Sequence, residues 1–402
     1  MKTTLRALAM LAVLACAPLA YSQTYQVVGT ETSTVANDLK KTVTTVQVGL
    51  NPLDRFLISR VTKKNATGKS HQGTLLLLPP LGSGFQNYEV GDGGDYSKSF
   101  AGFFARRGFD VWGYSQRVQG LAAGSCESGA VDCSAMANWG VQTILDDVAF
   151  IRRQIEQAHP GEKPVVGGLS LGSIVSVAVI NAAPDDYAGA VMLEGSLYTA
   201  NPETRATNAN FCAFFDDQLA NGVYYDGQNT PGFKLLSHLA ETAPNDPTPL
   251  PGFPAGFTNH RAWVAAMTAP PVTPTTPRPG YFFLAGSVAE DKLTYADEPL
   301  VHANIRAFVD YVATRTIRDV SCGLAGERTF SDNLASFSGS VLMIAGGHGF
   351  GPEMLDTKEL LTNANVTVNY VEEYGHVDHV FSTRHMQEVE HPVLAWLLSD
   401  VK

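Results

Sequence analysis

Two nucleotide-binding signatures are missing from this 402-residue chain. It has no phosphate-cradling Gly-Lys-Ser/Thr loop and no dinucleotide fingerprint opening an early αβ unit, so no cofactor is implied. Positive charge is also scarce: 28 Lys and Arg stand against 39 Asp and Glu, a formal net charge of -11. An acidic chain lacks the electrostatic footprint that nucleic acid requires, which argues against that partner. After the N-terminal segment no apolar run is long enough to cross a bilayer, and this argues against an integral membrane protein. Cysteine is sparse, with five in all: Cys16, Cys126, Cys133, Cys212 and Cys322.

The first 22 residues read as a targeting segment. Lys2 and Arg6 supply a positive start, Ala7 to Leu19 an apolar core, and Ala20-Tyr21-Ser22 a cleavage site before Gln23. The expected product is exported, to the periplasm or beyond. A lipidated Cys16, preceded by Val13-Leu14-Ala15, is the second reading, with Leu14 fitting that motif poorly. Cleavage removes two positive charges and takes the formal charge to about -13. It also leaves four cysteines, and an even count in an exported chain reads as two disulfides. Cys126 and Cys133 are near enough to staple one loop, which pairs Cys212 with Cys322; the other two pairings stay open.

Alternation and apolar runs place the elements. Thr42 to Val48 and Arg55 to Val61 alternate on either side of a turn at Asn51-Pro52 and suggest an antiparallel edge pair. Buried strands follow at Thr74 to Leu78, Phe109 to Gly113, Pro164 to Val166, Ala188 to Leu193, Val341 to Ala345 and Val366 to Val371. Helical patterns run over Tyr96 to Arg107, Asn138 to Gln157, the segment after Ser170, Asn304 to Thr316 and Met386 to Leu398. In the second of these, Val141, Ile144, Leu145, Val148, Ile151 and Ile155 form one apolar face. Strand and helix alternate, so the fold class is α/β with a doubly wound, mostly parallel sheet. About 145 residues separate Leu193 from Val341, too many for an αβ connection, and they imply a subdomain inserted between two core strands. The expected division is a signal peptide over 1–22, core over 23–195, a cap over 196–338 and core again over 339–402.

The chemistry gathers around Gly168-Leu169-Ser170-Leu171-Gly172. Five letters of G-x-S-x-G are weak evidence alone; between a strand and a helix they acquire a mechanical reason. A serine at the apex of such a turn sits at strained backbone angles, and side chains two residues away would collide with neighbouring backbone. Its hydroxyl needs an imidazole to take the proton. With the serine first, that histidine is expected after a late strand, where Tyr374-Gly375-His376-Val377-Asp378-His379 lies. His376 is the expected base, His379 the fallback, and Asp378 the residue that holds the loop. The same stretch matches part of an H-x-H-x-D-H metal motif, but Tyr374 occupies the first histidine's place, so no metal is expected. Gly91-Asp92-Gly93-Gly94-Asp95 departs from the EF-hand spacing and reads as a turn.

Together, Gly168 to Gly172, the turn after Leu78, Gly108-Phe109-Asp110-Val111-Trp112 and Gly375 to Asp378 resemble the α/β-hydrolase superfamily, with some likeness to its lipase and esterase branches. The resemblance covers most of residues 40–195 and 340–400. It implies a covalent acyl-enzyme, with an oxyanion hole built from the Leu171 N–H and an N–H of Leu81 or Gly82. Many relatives carry a His-Gly pair at that loop, which this chain lacks, and an aspartate after the strand corresponding to Val341 to Ala345. Here the latter place reads Gly346-Gly347-His348-Gly349-Phe350-Gly351-Pro352-Glu353. Glu194, ending the strand after the serine unit, is the first candidate for the third member, Glu353 the second and Asp356 the third. The implied activity is hydrolysis of carboxylic esters with an apolar acyl or aryl part. Two alternatives stand beside it: a peptidase or amidase, with Asp216 and Asp217 holding a substrate amine, and a non-catalytic binding module on the same scaffold.

Overall fold

Leucine alternation builds the centre of the molecule, seen here in a computed structural model that describes residues 24–64, 71–89, 96–227, 230–247, 259–262, 281–287, 290 and 292–401. The expected signal peptide with Cys16, and the Gly91 to Asp95 turn, lie outside the described residues. In β4 (Gly73–Leu78), Leu75 and Leu77 join one apolar cluster while Leu76 and Leu78 join another. The same division runs through β6 (Val165–Leu169), β7 (Gly189–Leu193) and β12 (Ser340–Gly346). Both sheet faces are therefore buried, as nearly continuous apolar strands require.

One nine-stranded sheet results, in the order β1-β2-β3-β5-β4-β6-β7-β12-β13. Here β1 is Tyr25–Ala36, β2 Leu39–Val48, β3 Arg55–Lys63, β5 Phe109–Ser115 and β13 Asn365–Val371. Pairing is antiparallel from β1 to β5 and parallel from β5 to β13. The mostly parallel sheet matches expectation; β2 and β3 pair antiparallel as expected but are not the edge, because β1 adds a further strand outside β2. Helices α1 (Phe100–Arg106) and α10 (His391–Ser399), the latter preceded by the single-turn α9 (Asp378–Phe381), cover one face; α2 (Val141–Ala158) and α3 (Leu171–Ala182) cover the other. All six apolar residues picked out along α2 are buried.

Between β7 and β12 the chain forms α4 (Pro202–Ala220), β8 (Tyr225–Gly227), α5 (Thr230–Thr242), the short pair β9 (Gly286–Ser287) and β10 (Lys292–Leu293), α6 (Glu298–Arg306), β11 (Tyr311–Ala313) and α7 (Thr314–Ala325). The single helix expected over Asn304 to Thr316 does not form. Tyr311–Ala313 instead pairs antiparallel with Tyr225–Gly227, and this tertiary pairing overrides the local helical pattern. The helix expected from Tyr96 starts later, where Ser99 accepts a hydrogen bond from the Gly102 N–H. The last helix is also divided: Met386–Glu390 is a π turn that leads into α10.

Both disulfides pair as expected, Cys126 with Cys133 and Cys212 with Cys322, the second joining α4 to α7. Their sequence separations are 7 and 110 residues. Loop-closure entropy grows with the logarithm of loop length, so the longer bond should stabilise by roughly 2 kcal/mol more. Urea unfolding of the two Cys→Ser pair variants checks this; an equal loss from both would contradict it.

Candidate active site

The elbow at Ser170 is shaped by one carbonyl. Ser170 stands between β6 and α3 at φ 58 and ψ -119, a region that residues with a Cβ rarely occupy. A Cβ on Gly172 would lie 1.9 Å from the Leu78 carbonyl oxygen, and one on Gly168 2.2 Å from the same atom. Both flanking glycines are thus demanded by the close approach of β4. Tyr88 completes this junction, donating its hydroxyl hydrogen to Leu78 O at 2.6 Å and accepting from the Leu169 N–H at 2.8 Å. Sequence reading passes over Tyr88, whose neighbours Gln86, Asn87 and Glu89 show no apolar pattern that would mark its hydroxyl as buried.

His376 Nε2 lies 2.8 Å from Ser170 Oγ. With the serine hydroxyl donating to Nε2, the ring hydrogen is on Nδ1, which faces Glu194 Oε2 at 3.4 Å. The imidazole is buried among Phe282, Phe283 and Phe350, with ring centroids 5.3, 6.0 and 5.0 Å away. Its loop is tied to the segment before β9: the N–H groups of His376 and Val377 donate to the Phe282 and Phe283 carbonyls at 2.6 and 2.8 Å. Asp378 Oδ2 accepts from the Gly375 and Ala285 N–H groups, holding the loop as anticipated. Burial lowers the His376 imidazole to about 3, so it is neutral at neutral pH. His379 is also buried, lowered to about 4 by desolvation, and packs against Tyr374. It is His376 that meets the serine.

Glu194 supplies the carboxylate beside His376. It follows β7 at φ 55 and is fully buried. Its Oε1 accepts from the Gly346 N–H and its Oε2 from the Phe350 N–H, each at 2.5 Å. Desolvation dominates and pushes the carboxyl up to about 7, opposed by His379 and by these two hydrogen bonds. A Cβ on Gly349 would sit 1.9 Å from Glu194 Oε2, so the glycine-rich turn after β12 is the space that the carboxylate fills. Glu353, buried in the first turn of α8 (Gly351–Lys358), contributes repulsion to the rise of Glu194. Asp356 accepts from Thr199 Oγ1 and from the Ala200 N–H, fastening the chain after β7 to α8.

Leu171 opens α3, so the helix offers its N–H no intrahelical acceptor. The loop after β4 carries Leu81, a third exposed, and buried Gly82 at φ 73, whose carbonyl accepts from the Val309 N–H. Asp216, considered above as an amine ligand, pairs with Arg318 at 2.9 Å.

No protein-family model matches this chain, and no curated protein matches it by sequence. Among solved structures, it is similar to a protein of Sulfolobus solfataricus taken to be a lipase, with 19% identity and a TM-score of 0.63 over 93% of this chain and 98% of that one. A carboxylesterase of Nitrososphaera gargenis (15% identity, TM-score 0.48, 88% and 99% covered) and an esterase of Thermogutta terrifontis (14%, 0.47, 89% and 98%) show a weaker likeness. At these identities the likeness speaks for architecture alone. The chain has the α/β-hydrolase fold.

Replacing Gly172 by alanine drives a Cβ into immovable backbone. Stability should fall by about 1–3 kcal/mol in thermal unfolding, whereas the same change at the open position Gly120 should cost far less.

Proposed function

We propose that the protein is an exported serine hydrolase that cleaves carboxylic esters through a covalent acyl-enzyme. The observation that carries this reading is the continuous line from Ser170 Oγ to His376 Nε2 and from His376 Nδ1 to the buried carboxylate of Glu194. In this reading Ser170 Oγ attacks the ester carbonyl carbon while His376 Nε2 takes its proton. The resulting imidazolium is stabilised by Glu194, and the N–H of Leu171, with that of Leu81 or Gly82, receives the charge developing on the carbonyl oxygen. His376 then returns the proton to the departing alkoxide. Water repeats the sequence on the acyl-enzyme and restores Ser170.

Other features support the remaining parts of the reading. Leu81 and Phe283 are each more than a third exposed, giving apolar surface on the donor loop and beside the base, which suits an apolar acyl or aryl group. Segment 196–338 serves as the cap in this scheme, and Phe282 and Phe283 are its contribution beside His376. Two disulfides fit an oxidising compartment, in line with a cleaved leader, and no helix among the described residues is long and apolar enough to cross a membrane.

Labelling with a fluorophosphonate probe tests the assignment of Ser170, because only an activated serine reacts. Wild-type protein should label and hydrolyse a short-chain aryl ester, and Ser170→Ala should do neither; an unlabelled wild type would favour the non-catalytic alternative. Glu194→Gln should lower kcat by about two to four orders of magnitude, while Glu353→Gln retains most activity. Equal losses would remove Glu194 from the role.

The pH profile follows from the same burial. Desolvation lowers His376 and raises Glu194 to about 7, so on acidification the pair first takes up its proton at the carboxylate. Protonated Glu194 cannot stabilise the imidazolium. Accordingly kcat/KM should fall as pH drops through about 7, and the low residual activity of Glu194→Gln should lack this step. An unchanged midpoint in that variant would assign the limb to another group.

A further inference from the structure

A second cluster of titratable side chains lies at the opposite end of the sheet from Ser170. His71 lies two residues before β4, His159 caps the C-terminus of α2, and Glu162 lies in the turn before β6. Strands β4 and β6 run in parallel from this end toward the elbow, so the cluster and the serine are separated by the full length of the strands. His71 Nε2 is 2.7 Å from Glu162 Oε2, and His159 Nδ1 is 3.8 Å from the same oxygen. One ligand atom from each residue falls within 4.8 Å of the others. The two imidazoles stack at 4.3 Å, and all three side chains are about one quarter exposed, which leaves solvent access.

Hydrogen-bond accounting shows what is missing there. His159 Nε2 lies 2.7 Å from Asp110 Oδ2, and Asp110 is itself held by Arg60 through Nε and Nη2. Asp110, paired with a guanidinium, acts as acceptor, so the hydrogen of a neutral His159 ring is on Nε2. Its Nδ1 lone pair then faces the Glu162 carboxylate. Glu162 Oε1 is buried and has no hydrogen-bond partner. Two electron-rich atoms confront each other and a third lacks a donor, an arrangement that a cation between them would satisfy. A carboxylate on the far nitrogen of a histidine is also the usual support for a metal-bound imidazole.

We propose that His71, His159 and Glu162 bind one zinc ion, with Asp110 orienting His159 and water filling the fourth position. Two imidazoles and a carboxylate form a donor set suited to zinc, at ligand distances of about 2.0–2.2 Å. Reaching those distances requires the two rings to unstack by side-chain rotation, which their partial exposure permits. The ion would fasten the α2–β6 turn to the start of β4, a stabilising role remote from the serine chemistry.

Calorimetric titration of the chelator-treated, disulfide-intact protein with Zn²⁺ tests this. One zinc per chain should bind and raise the melting temperature, and Co²⁺ in its place should give the visible absorption of a tetrahedral site. His71→Ala and Glu162→Gln should each abolish both effects, Asp110→Asn should weaken zinc about 10–100-fold, and Ser170→Ala should bind as wild type. Circular dichroism of the zinc-free variants establishes that they are folded, and Glu162→Gln, which keeps the side-chain shape, serves if His71→Ala is not. No saturable binding, or binding that persists unchanged in His71→Ala and Glu162→Gln, overturns the proposal.

Discussion

A buried carboxylate with two backbone donors fixes the geometry on which the candidate site depends. Glu194 is fully enclosed, and an isolated charge there would be untenable. The N–H groups of Gly346 and Phe350 bind its two oxygens, and His376 Nδ1 faces one of them. Glu194, at the end of β7, thus meets the end of β12 with the turn after it and the loop after β13. The carboxylate therefore draws together three strand ends that the sheet alone would leave as separate loops. Its raised proton affinity is the cost of that position, offset in part by the donors around it.

That arrangement explains why the turn after β12 is rich in glycine and lacks an acid. Glu194 reaches into it from the adjacent strand, and a side chain at Gly349 would occupy the place of the carboxylate oxygen. The end of β12 and its turn contribute backbone donors rather than a charged side chain. Positive φ at both Ser170 and Glu194 marks the two points where chain direction yields to side-chain placement.

Much of this was legible in the sequence because it rests on short-range rules. The α2 face, the buried strands and the Gly168 to Gly172 turn each follow from spacing within one element. Glu194 was legible as an acid ending an apolar strand, but its donors were not, since Gly346 and Phe350 meet it only through the pairing of β7 with β12. Tyr88 escaped for a similar reason: both partners of its hydroxyl belong to other strands. The helix expected across Asn304 to Thr316 failed because Tyr311–Ala313 finds a strand about 85 residues earlier in the chain, a contact no local window contains.

The hydrogen bonds from His376 and Val377 to the Phe282 and Phe283 carbonyls have a mechanical implication. They make the segment inserted between β7 and β12 part of the support of the imidazole. A displacement of that segment strands two buried N–H groups on the histidine loop and removes two of the rings packed on His376. Ser170 and Glu194, by contrast, belong to consecutive strands of the sheet and stay with it. His376 is thus the one of the three whose placement is shared with the insertion, through the same pair of carbonyls that holds its loop.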